Sequence, residues 1–412
     1  MKNIYPRWQS ESIADAMKTR RVLLLSGARQ CGKTTLAKQM LTDQVEYRTL
    51  DDLSVRAIAQ NDPAGFVKHQ KSTLIIDEVQ HVPELLSAIK LRVDEDSRPG
   101  QFLLTGSANI QAAPGVTESL AGRIRSLRLR TLSHGEMKKV RPTFLERAFN
   151  SDFAGTAHEL YDRESILNIA FRGGFPEALA LSDRERTQWH RDYVCALIQR
   201  DLADITRIQR YDAMRQLTEV LAAWSGKFMD ISAIGAGLSI RRPTLETYIN
   251  ALEALYIIER VSPWTKTDYE RVGKQPKLFM SDPGLMASIL GWKYAQLTQD
   301  SDRSGKLVET FVFNEIASQV DAHKGEYSLY HYRDREKREV DFIVEREDGA
   351  LLGIEVKAGS AVNQTHFKHL HWFKDSIAGK REFTGIVLYT GSHAGSFGKG
   401  LWAVPFAHLW IS

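Results

Sequence analysis

Gly27-Ala28-Arg29-Gln30-Cys31-Gly32-Lys33-Thr34 follows the apolar run Val22–Leu25 and precedes Thr35-Leu36-Ala37-Lys38-Gln39-Met40. Strand, G-x-x-x-x-G-K-T, helix is the order of a loop that wraps a phosphate chain. Gly27 and Gly32 let the backbone approach an anion closely. Successive N–H groups and the helix N-terminus then point at phosphate oxygens. Lys33 would reach the β- and γ-phosphates of ATP, and Thr34 would coordinate Mg2+. The bland alternative is a strand-to-helix turn with an incidental lysine. A second run, Leu74-Ile75-Ile76-Asp77-Glu78, is an apolar strand ending in two carboxylates. Asp77 would bind the metal, directly or through water, and Glu78 would orient the attacking water. Phe102-Leu103-Leu104-Thr105-Gly106-Ser107 is a third strand. It ends in hydroxyls, of which Ser107, or Thr105, would sit between the γ-phosphate and Glu78; a plain strand-end turn is the alternative. In Ser119-Leu120-Ala121-Gly122-Arg123, Arg123 falls near a helix end. It would serve as an arginine finger on this subunit or a neighbouring one. The same run, with Arg125, Arg128 and Arg130, also reads as a solvated basic strand.

The C-terminal third holds another constellation. Val340-Asp341-Phe342-Ile343-Val344 and Leu352-Gly353-Ile354-Glu355-Val356-Lys357 alternate apolar and polar residues around Asp348-Gly349, a hairpin signal. Glu355 and Lys357 differ by two and share a face, and pairing across the hairpin can bring Asp341 to it. Two carboxylates and a lysine near a strand end suit a divalent metal held by oxygen, with the lysine positioning a water for phosphodiester attack. Glu309, in the helix opened by Gly305-Lys306-Leu307-Val308, would complete the set. An amphipathic hairpin with charges on its wet side is the alternative. Just upstream, Tyr330, Tyr332, Arg333, Arg335, Lys337 and Arg338 mix basic and aromatic residues as a nucleic-acid backbone would require, though a solvated charged loop reads equally well. His134, His331 and the other histidines show no metal-ligand spacing.

These residues need elements to hold them. Residues 1–135 alternate short apolar runs with helical segments, an α/β pattern with a buried parallel sheet. Residues 136–210 read as helical, broken at Gly173-Gly174-Phe175-Pro176. Over 211–262, Asp230 caps a short helix, Gly237 turns, Pro243 opens a second helix with Leu245, Tyr248, Ile249, Leu252 and Leu255 on one face, and Tyr256–Val261 forms a strand. This is a winged-helix pattern. Were it to read DNA, Arg241, Arg242, Thr247 and Asn250 would face the groove, although Glu246 and Glu253 on that helix would repel phosphates. A loop-rich connector follows over 263–300, then a final α/β region over 301–412.

The phosphate loop, Leu-Ile-Ile-Asp-Glu-Val-Gln at 74–80, Leu-Leu-Thr-Gly-Ser at 103–107 and Leu-Ala-Gly-Arg at 120–123 resemble a prokaryotic branch of the AAA+ ATPases. That branch carries a C-terminal domain long described as of unknown function. Gly173–Glu177, Arg200-Asp201-Leu202 and Phe279–Leu285 extend the likeness over nearly the whole chain without carrying obvious chemistry. The hairpin resembles the PD-(D/E)xK nucleases, with Asp341, Glu355 and Lys357 at that family's metal and lysine positions, Glu309 at its helical acid, and Val340 where a proline is common. The resemblances imply a P-loop AAA+-type parallel sheet, a helical and winged-helix middle, and a restriction-endonuclease-like α/β end. They further imply ATP and Mg2+ as cofactors, DNA as a partner that the C-terminal domain binds or cuts, and possible homo-oligomers. A nucleotide-driven switch, whose C-terminal domain only binds a partner protein or nucleic acid, is the competing reading.

Bulk properties are permissive. A net charge of +4 over 412 residues is compatible with nucleic acid but does not argue for it. Cys31 and Cys195 have no pairing or zinc spacing, which fits a reducing cytoplasm. The first residues lack the apolar core of a signal peptide, and no apolar run is long enough to span a membrane.

Overall fold

The computed structural model describes residues 4–107, 122–153, 161–201, 211–238, 240–267, 274–323 and 325–411. Ser119–Ala121 and Leu202 of the motifs above lie outside them. The first sheet comprises β1 (Val22–Ser26), β2 (Val45–Thr49), β3 (Thr73–Asp77), β4 (Phe102–Gly106) and β5 (Ile124–Arg128), in the order β2-β3-β4-β1-β5. All its pairings are parallel. The three central strands are fully or almost fully buried, as their unbroken apolar sequences require. β2 and β5 are the edges and are only half-buried. Their mixed sequences, Val-Glu-Tyr-Arg-Thr and Ile-Arg-Ser-Leu-Arg, follow from that position.

Helices Arg163–Arg172 and Asp183–Ala196 form the next layer. Beyond them come helix Tyr211–Trp224, β6 (Lys227–Phe228), helices Ile231–Gly235 and Arg242–Ala254, β7 (Ile258–Val261) and β8 (Lys277–Met280). The three strands make a sheet ordered β6-β8-β7, with both pairings antiparallel. Here the structure departs from the expected connector over 263–300. β8 is a fully buried central strand, and helix Pro283–Ile289 is buried along most of its length.

The last region sets helix Ser301–Ala322 against a six-stranded mixed sheet. Its strands are β9 (Tyr327–Arg333), β10 (Glu339–Arg346), β11 (Leu351–Val356), β12 (Phe383–Tyr389), β13 (Gly395–Gly398) and β14 (Leu401–Pro405). They are ordered β13-β14-β12-β11-β10-β9. β10 and β11 form the antiparallel hairpin expected around Asp348-Gly349, with Phe342 opposite Ile354. Thus the fold is α/β throughout, with a parallel five-stranded sheet at its N-terminal end and a mixed sheet at its C-terminal end.

Polar knots join these regions. The Arg130 guanidinium, past the end of β5, bonds Glu259 of β7 at 2.7 and 2.9 Å and Asp321 of the long helix at 2.6 Å. Arg128 also pairs with Glu259, at 2.8 Å. Far from being a solvated basic strand, this run ends in a buried junction of three segments. Asp282 makes a second knot: its carboxylate caps helix Pro283–Ile289 through the Leu285 N–H at 2.8 Å and accepts the Gly174 N–H at 2.7 Å. A Cβ on Gly174 would lie 2.1 Å from the Leu132 carbonyl oxygen. The Gly-Gly-Phe-Pro and Ser-Asp-Pro-Gly-Leu motifs are therefore two halves of one contact.

Glu315 is a third. It accepts the His134 N–H at 2.6 Å and the Trp410 indole N–H at 2.7 Å. Burial pushes its carboxyl up to about 7, against those two hydrogen bonds. A carboxyl whose folded value lies above its unfolded one stabilises the fold most at low pH. That contribution is lost as pH rises from about 4.5 through about 7, on the order of 3 kcal/mol in all. Thermal denaturation followed from pH 5 to pH 8 should show this loss, and Glu315→Gln should flatten the slope whatever it does to the baseline. An unchanged slope in the variant would place the titration elsewhere.

Candidate active site

At the carboxyl edge of the first sheet, β1, β4 and β3 are adjacent, so the phosphate loop, Ser107 and Glu78 come to one crevice. Ligands of open α/β sheets bind at this edge. Gly27 has φ 154° and Gly32 φ 108°, backbone conformations closed to most side chains. A Cβ on Gly27 would lie 2.1 Å from the Leu129 carbonyl oxygen, so the loop is seated directly on the chain beyond β5. Arg7 fixes it from beneath, donating to the Cys31 and Arg130 carbonyls at 2.7 Å each and pairing with Glu136 at 3.0 Å. Cys31 is buried against the Leu129 carbonyl, and the Arg29 carbonyl accepts the Tyr193 hydroxyl at 3.2 Å. The loop's form is thus braced by its neighbours.

Lys33 opens helix Lys33–Gln39, is 4% exposed, and donates to the Gly27 and Ala28 carbonyls at 2.9 Å each. The Thr34 hydroxyl meets the Asp77 carboxylate at 3.0 and 3.1 Å. Asp77 also accepts the Tyr47 hydroxyl at 2.7 Å and the Thr105 hydroxyl. Thr105 in turn accepts the Glu78 N–H at 3.1 Å. Glu78 stands in the left-handed region, φ 58° and ψ 47°, which turns its side chain out of the strand line. Gln80 bonds both Glu78 and, at 2.9 Å, Ser107. Burial works to raise the Glu78 carboxyl. The Lys33 ammonium, the Gln80 hydrogen bond and Arg29 outweigh it and hold the acid ionised below its ordinary value. Of the two hydroxyls at the end of β4, Thr105 holds Asp77, and Ser107, one residue past the strand, reaches the Glu78–Gln80 pair. A Thr hydroxyl beside a carboxylate is a hard-oxygen donor set that fits Mg2+.

The crevice opens into a cleft of about 1070 Å³. Lys33, Thr34, Thr35, Gln30, Gly32 and Glu78 line one end; Tyr5, Leu132, Met137, Ile169, Arg172 and Pro176 line the rest. The cleft is polar around the phosphate loop, and away from it apolar residues alternate with His134, Lys138, Arg172 and Glu177. Sequence reasoning missed Tyr5, Arg7, Tyr47 and Arg172, because each reaches the site only through tertiary packing; Gln80 stood in a quoted motif two residues from Glu78 but was given no role.

Arg123 is elsewhere. It immediately precedes β5, whose first residue pairs with Val22 at the start of β1. It therefore lies at the amino edge of the sheet, the edge opposite the crevice, bonded to Asp94 at 2.5 and 3.0 Å. So placed, it cannot reach the nucleotide end of its own cleft.

The hairpin residues converge as expected. Continuing the register one step past Phe342 and Ile354 sets Asp341 opposite Glu355. The Lys357 ammonium bonds Glu355 at 3.1 Å, and the Val356 N–H bonds Asp341 at 2.9 Å. Burial and the neighbouring Asp341 push Glu355 up to about 8 and Glu309 up to about 7, the latter against Lys277. Lys277 of β8 was not foreseen. Its ammonium lies 2.6 Å from Glu309, 2.7 Å from Glu339 and 3.5 Å from Asp341. Among the described residues no group of three or more acids, histidines or cysteines is arranged to hold a metal ion. As placed, Asp341, Glu355 and Glu309 do not fit a resident metal, because a lysine stands among them.

The polar residues expected to face DNA are largely engaged with each other. Arg242 bonds Glu246 at 2.9 Å, Arg260 bonds Asn250 at 3.0 Å and pairs with Glu253, and Thr247 bonds the Pro243 carbonyl. In the basic-aromatic segment, Tyr332 is buried and Arg338 pairs with Asp334 and stacks on Trp372, while Arg335 and Lys337 are exposed. Among the described residues no helix is long and apolar enough to cross a membrane.

Three family models match successive parts of the chain. Residues 19–138 match one described as an AAA domain, 163–296 a domain of unknown function (DUF8612), and 304–409 another (DUF4143). Uncharacterized proteins of Mycobacterium bovis and Mycobacterium tuberculosis are each 26% identical over 385 residues, covering 93% of this chain and 80% of theirs. Among solved structures, the RuvB Holliday junction branch migration motor of Thermotoga maritima is 17% identical with a TM-score of 0.29, covering 63% of this chain and 92% of its own. A DNA polymerase III gamma subunit-related protein of the same organism is 12% identical with a TM-score of 0.24, covering 60% and 97%. TM-scores this low do not establish a shared overall arrangement. The cradle, the acidic strand end and the matched model nonetheless coincide on one stretch of sequence: residues 19–138 form an AAA-type P-loop domain.

Proposed function

We propose that this chain is an ATP-hydrolysing AAA+ protein that acts on nucleic acid, with its C-terminal domain serving as a binding module. The observation that carries the ATPase reading is the relay from Thr34 through Asp77 and Thr105 to Glu78, which ties the loop to the acid in unbroken hydrogen bonds. ATP would occupy Gly27, Ala28, Arg29, Gln30, Cys31, Gly32, Lys33, Thr34 and Thr35, with Thr34 and Asp77 holding Mg2+. Bound there, the metal would neutralise phosphate charge. Lys33 would reach the terminal phosphates by leaving the Gly27 and Ala28 carbonyls. Glu78, kept ionised, would accept a proton from the attacking water. Ser107 would report the state of that phosphate to Gln80 and Glu78. Arg123 would act only on a neighbouring subunit, which makes a homo-oligomer part of the proposal.

DNA is the partner the exposed polar residues support. The order of helices and strands from Tyr211 to Met280 suits a winged helix, and Arg241, Arg335 and Lys337 are exposed. Binding is favoured over cutting by Lys277, which sits among the acids a metal would need. Glu78→Gln should trap the ATP-bound form. With ATP and Mg2+, that variant's affinity for duplex DNA, read by fluorescence anisotropy, should fall about ten- to a hundredfold between ~50 and ~200 mM salt, as expected for two to four phosphate contacts. No binding at low salt, or affinity indifferent to salt, would remove DNA from the proposal.

A further inference from the structure

Lys277 is the first residue of β8 and is 1% exposed. An ammonium has three N–H donors and no acceptor. Here Glu309, Glu339 and Asp341, at 2.6, 2.7 and 3.5 Å, supply a carboxylate for each. The rings of Phe228 and Phe279, each 5.7 Å from the nitrogen, add two aromatic faces to its surroundings. Gly226 packs closely too: a Cβ there would come 3.1 Å from a Glu309 carboxylate oxygen.

We infer that Lys277 is the resident cation of the C-terminal acidic cluster: it fills the seat a divalent ion would take, and its removal uncovers a latent divalent-cation site on Glu309 and Asp341, two of the acids it touches. Charge supports this. Glu309, Glu339, Asp341 and Glu355 form an acidic cluster whose cations are Lys277 and Lys357. A buried ammonium is stable only when paired in this manner, and the three carboxylates around Lys277 raise its affinity for the proton although burial opposes it. Geometry supports it as well. Mg2+ keeps several waters and needs oxygens at about 2.1 Å in near-octahedral array. The Lys277 ammonium, 2.6 Å from Glu309 and 3.5 Å from Asp341, stands where that array would have to form. The seat is also filled from outside the domain. Lys277 belongs to the β6-β8-β7 sheet, whereas Asp341 and Glu355 belong to the β10–β11 hairpin. This inference stands independently of the ATP reading.

Manganese(II) titration of the full-length chain without nucleotide, read by loss of the free-ion electron paramagnetic resonance signal, tests it. Wild type and Asp341→Asn should titrate alike up to about 1 mM Mn2+. Lys277→Met should gain one site at least tenfold tighter than any in wild type, and Lys277→Met/Asp341→Asn should lose it. Because Lys277→Met leaves acids uncompensated, Lys277→Met/Glu339→Gln is made alongside it, with one acid fewer and the same gain expected. Wild-type binding that Asp341→Asn abolishes would overturn the inference, and so would a folded Lys277 variant that binds no more Mn2+ than wild type.

Discussion

Replacing Lys33 with alanine should lower ATP turnover at least a hundredfold while leaving the fold intact. The side chain is almost wholly enclosed, and its partners are loop carbonyls, so its positive charge is aimed at the space the loop encloses. Alanine at the first position of helix Lys33–Gln39 is well tolerated by the backbone. What disappears is the cation beside which the proposed hydrolysis would release a phosphoryl group. Removing one preorganised electrostatic group of this kind costs about 3–4 kcal/mol of transition-state stabilisation. Phosphate release under saturating ATP, with the melting temperature as a control on folding, reads the effect directly. Full turnover in the variant would end the ATPase proposal.

Asp282→Ala should be the most destabilising single change outside the hydrophobic core. Its carboxylate is wholly buried and binds the Gly174 and Leu285 N–H groups, so alanine strands both donors away from water. Burial raises the Asp282 carboxyl, and those N–H groups oppose the rise, so the acceptor is held in place at some cost. Stranded donors of this kind cost about 1–3 kcal/mol each, which puts the loss near 3–5 kcal/mol. The same knot shapes the nucleotide cleft, because Arg172, Gly173 and Pro176 line it. The variant should therefore also raise KM for ATP. Asp282→Asn, which keeps one acceptor, should fall between. Differential scanning calorimetry and steady-state kinetics on the three proteins give both readings; an Asp282→Ala chain as stable as wild type would show that Gly174 finds another partner.

The central strands and the phosphate loop were legible because their function is local: an apolar run, two glycines, a lysine and a threonine in fixed order suffice. β2 was not, because Val-Glu-Tyr-Arg-Thr is half-buried at every position and leaves no apolar run, while β5 was read only as the alternative to an arginine finger. β8 was hidden for another reason. Lys-Leu-Phe-Met at 277–280 is four residues long and opens with a charge, and it reads as a strand only beside β6 and β7. That charge was itself the missed signal, since a lysine heading a buried run needs an acid partner. The hairpin acids were found by spacing, yet their neighbour Lys277 lies 64 residues from Asp341. Whether Arg123 serves its own cleft or a neighbour's stayed open in the sequence, because spacing gives its distance along the chain but not the edge of the sheet on which it emerges. Asp282 and Gly174 stood in recognised motifs, but their contact spans 108 residues, and neither half shows its purpose alone.

The position of Lys277 bears on how such a chain can be rebuilt. The acids lie within the stretch matched as one domain, 304–409, and the lysine within the stretch matched as another, 163–296. A graft of 304–409 onto a different ATPase domain would carry the negative charges and leave their counterion behind. If Lys277 is that cluster's resident cation, as inferred above, the transplanted domain should bind divalent ions more tightly than the parent chain, and any hydrolysis it displayed would be a property of the cut. Modules that look exchangeable by sequence share one charge balance, and a faithful exchange must move the β8 strand along with the hairpin.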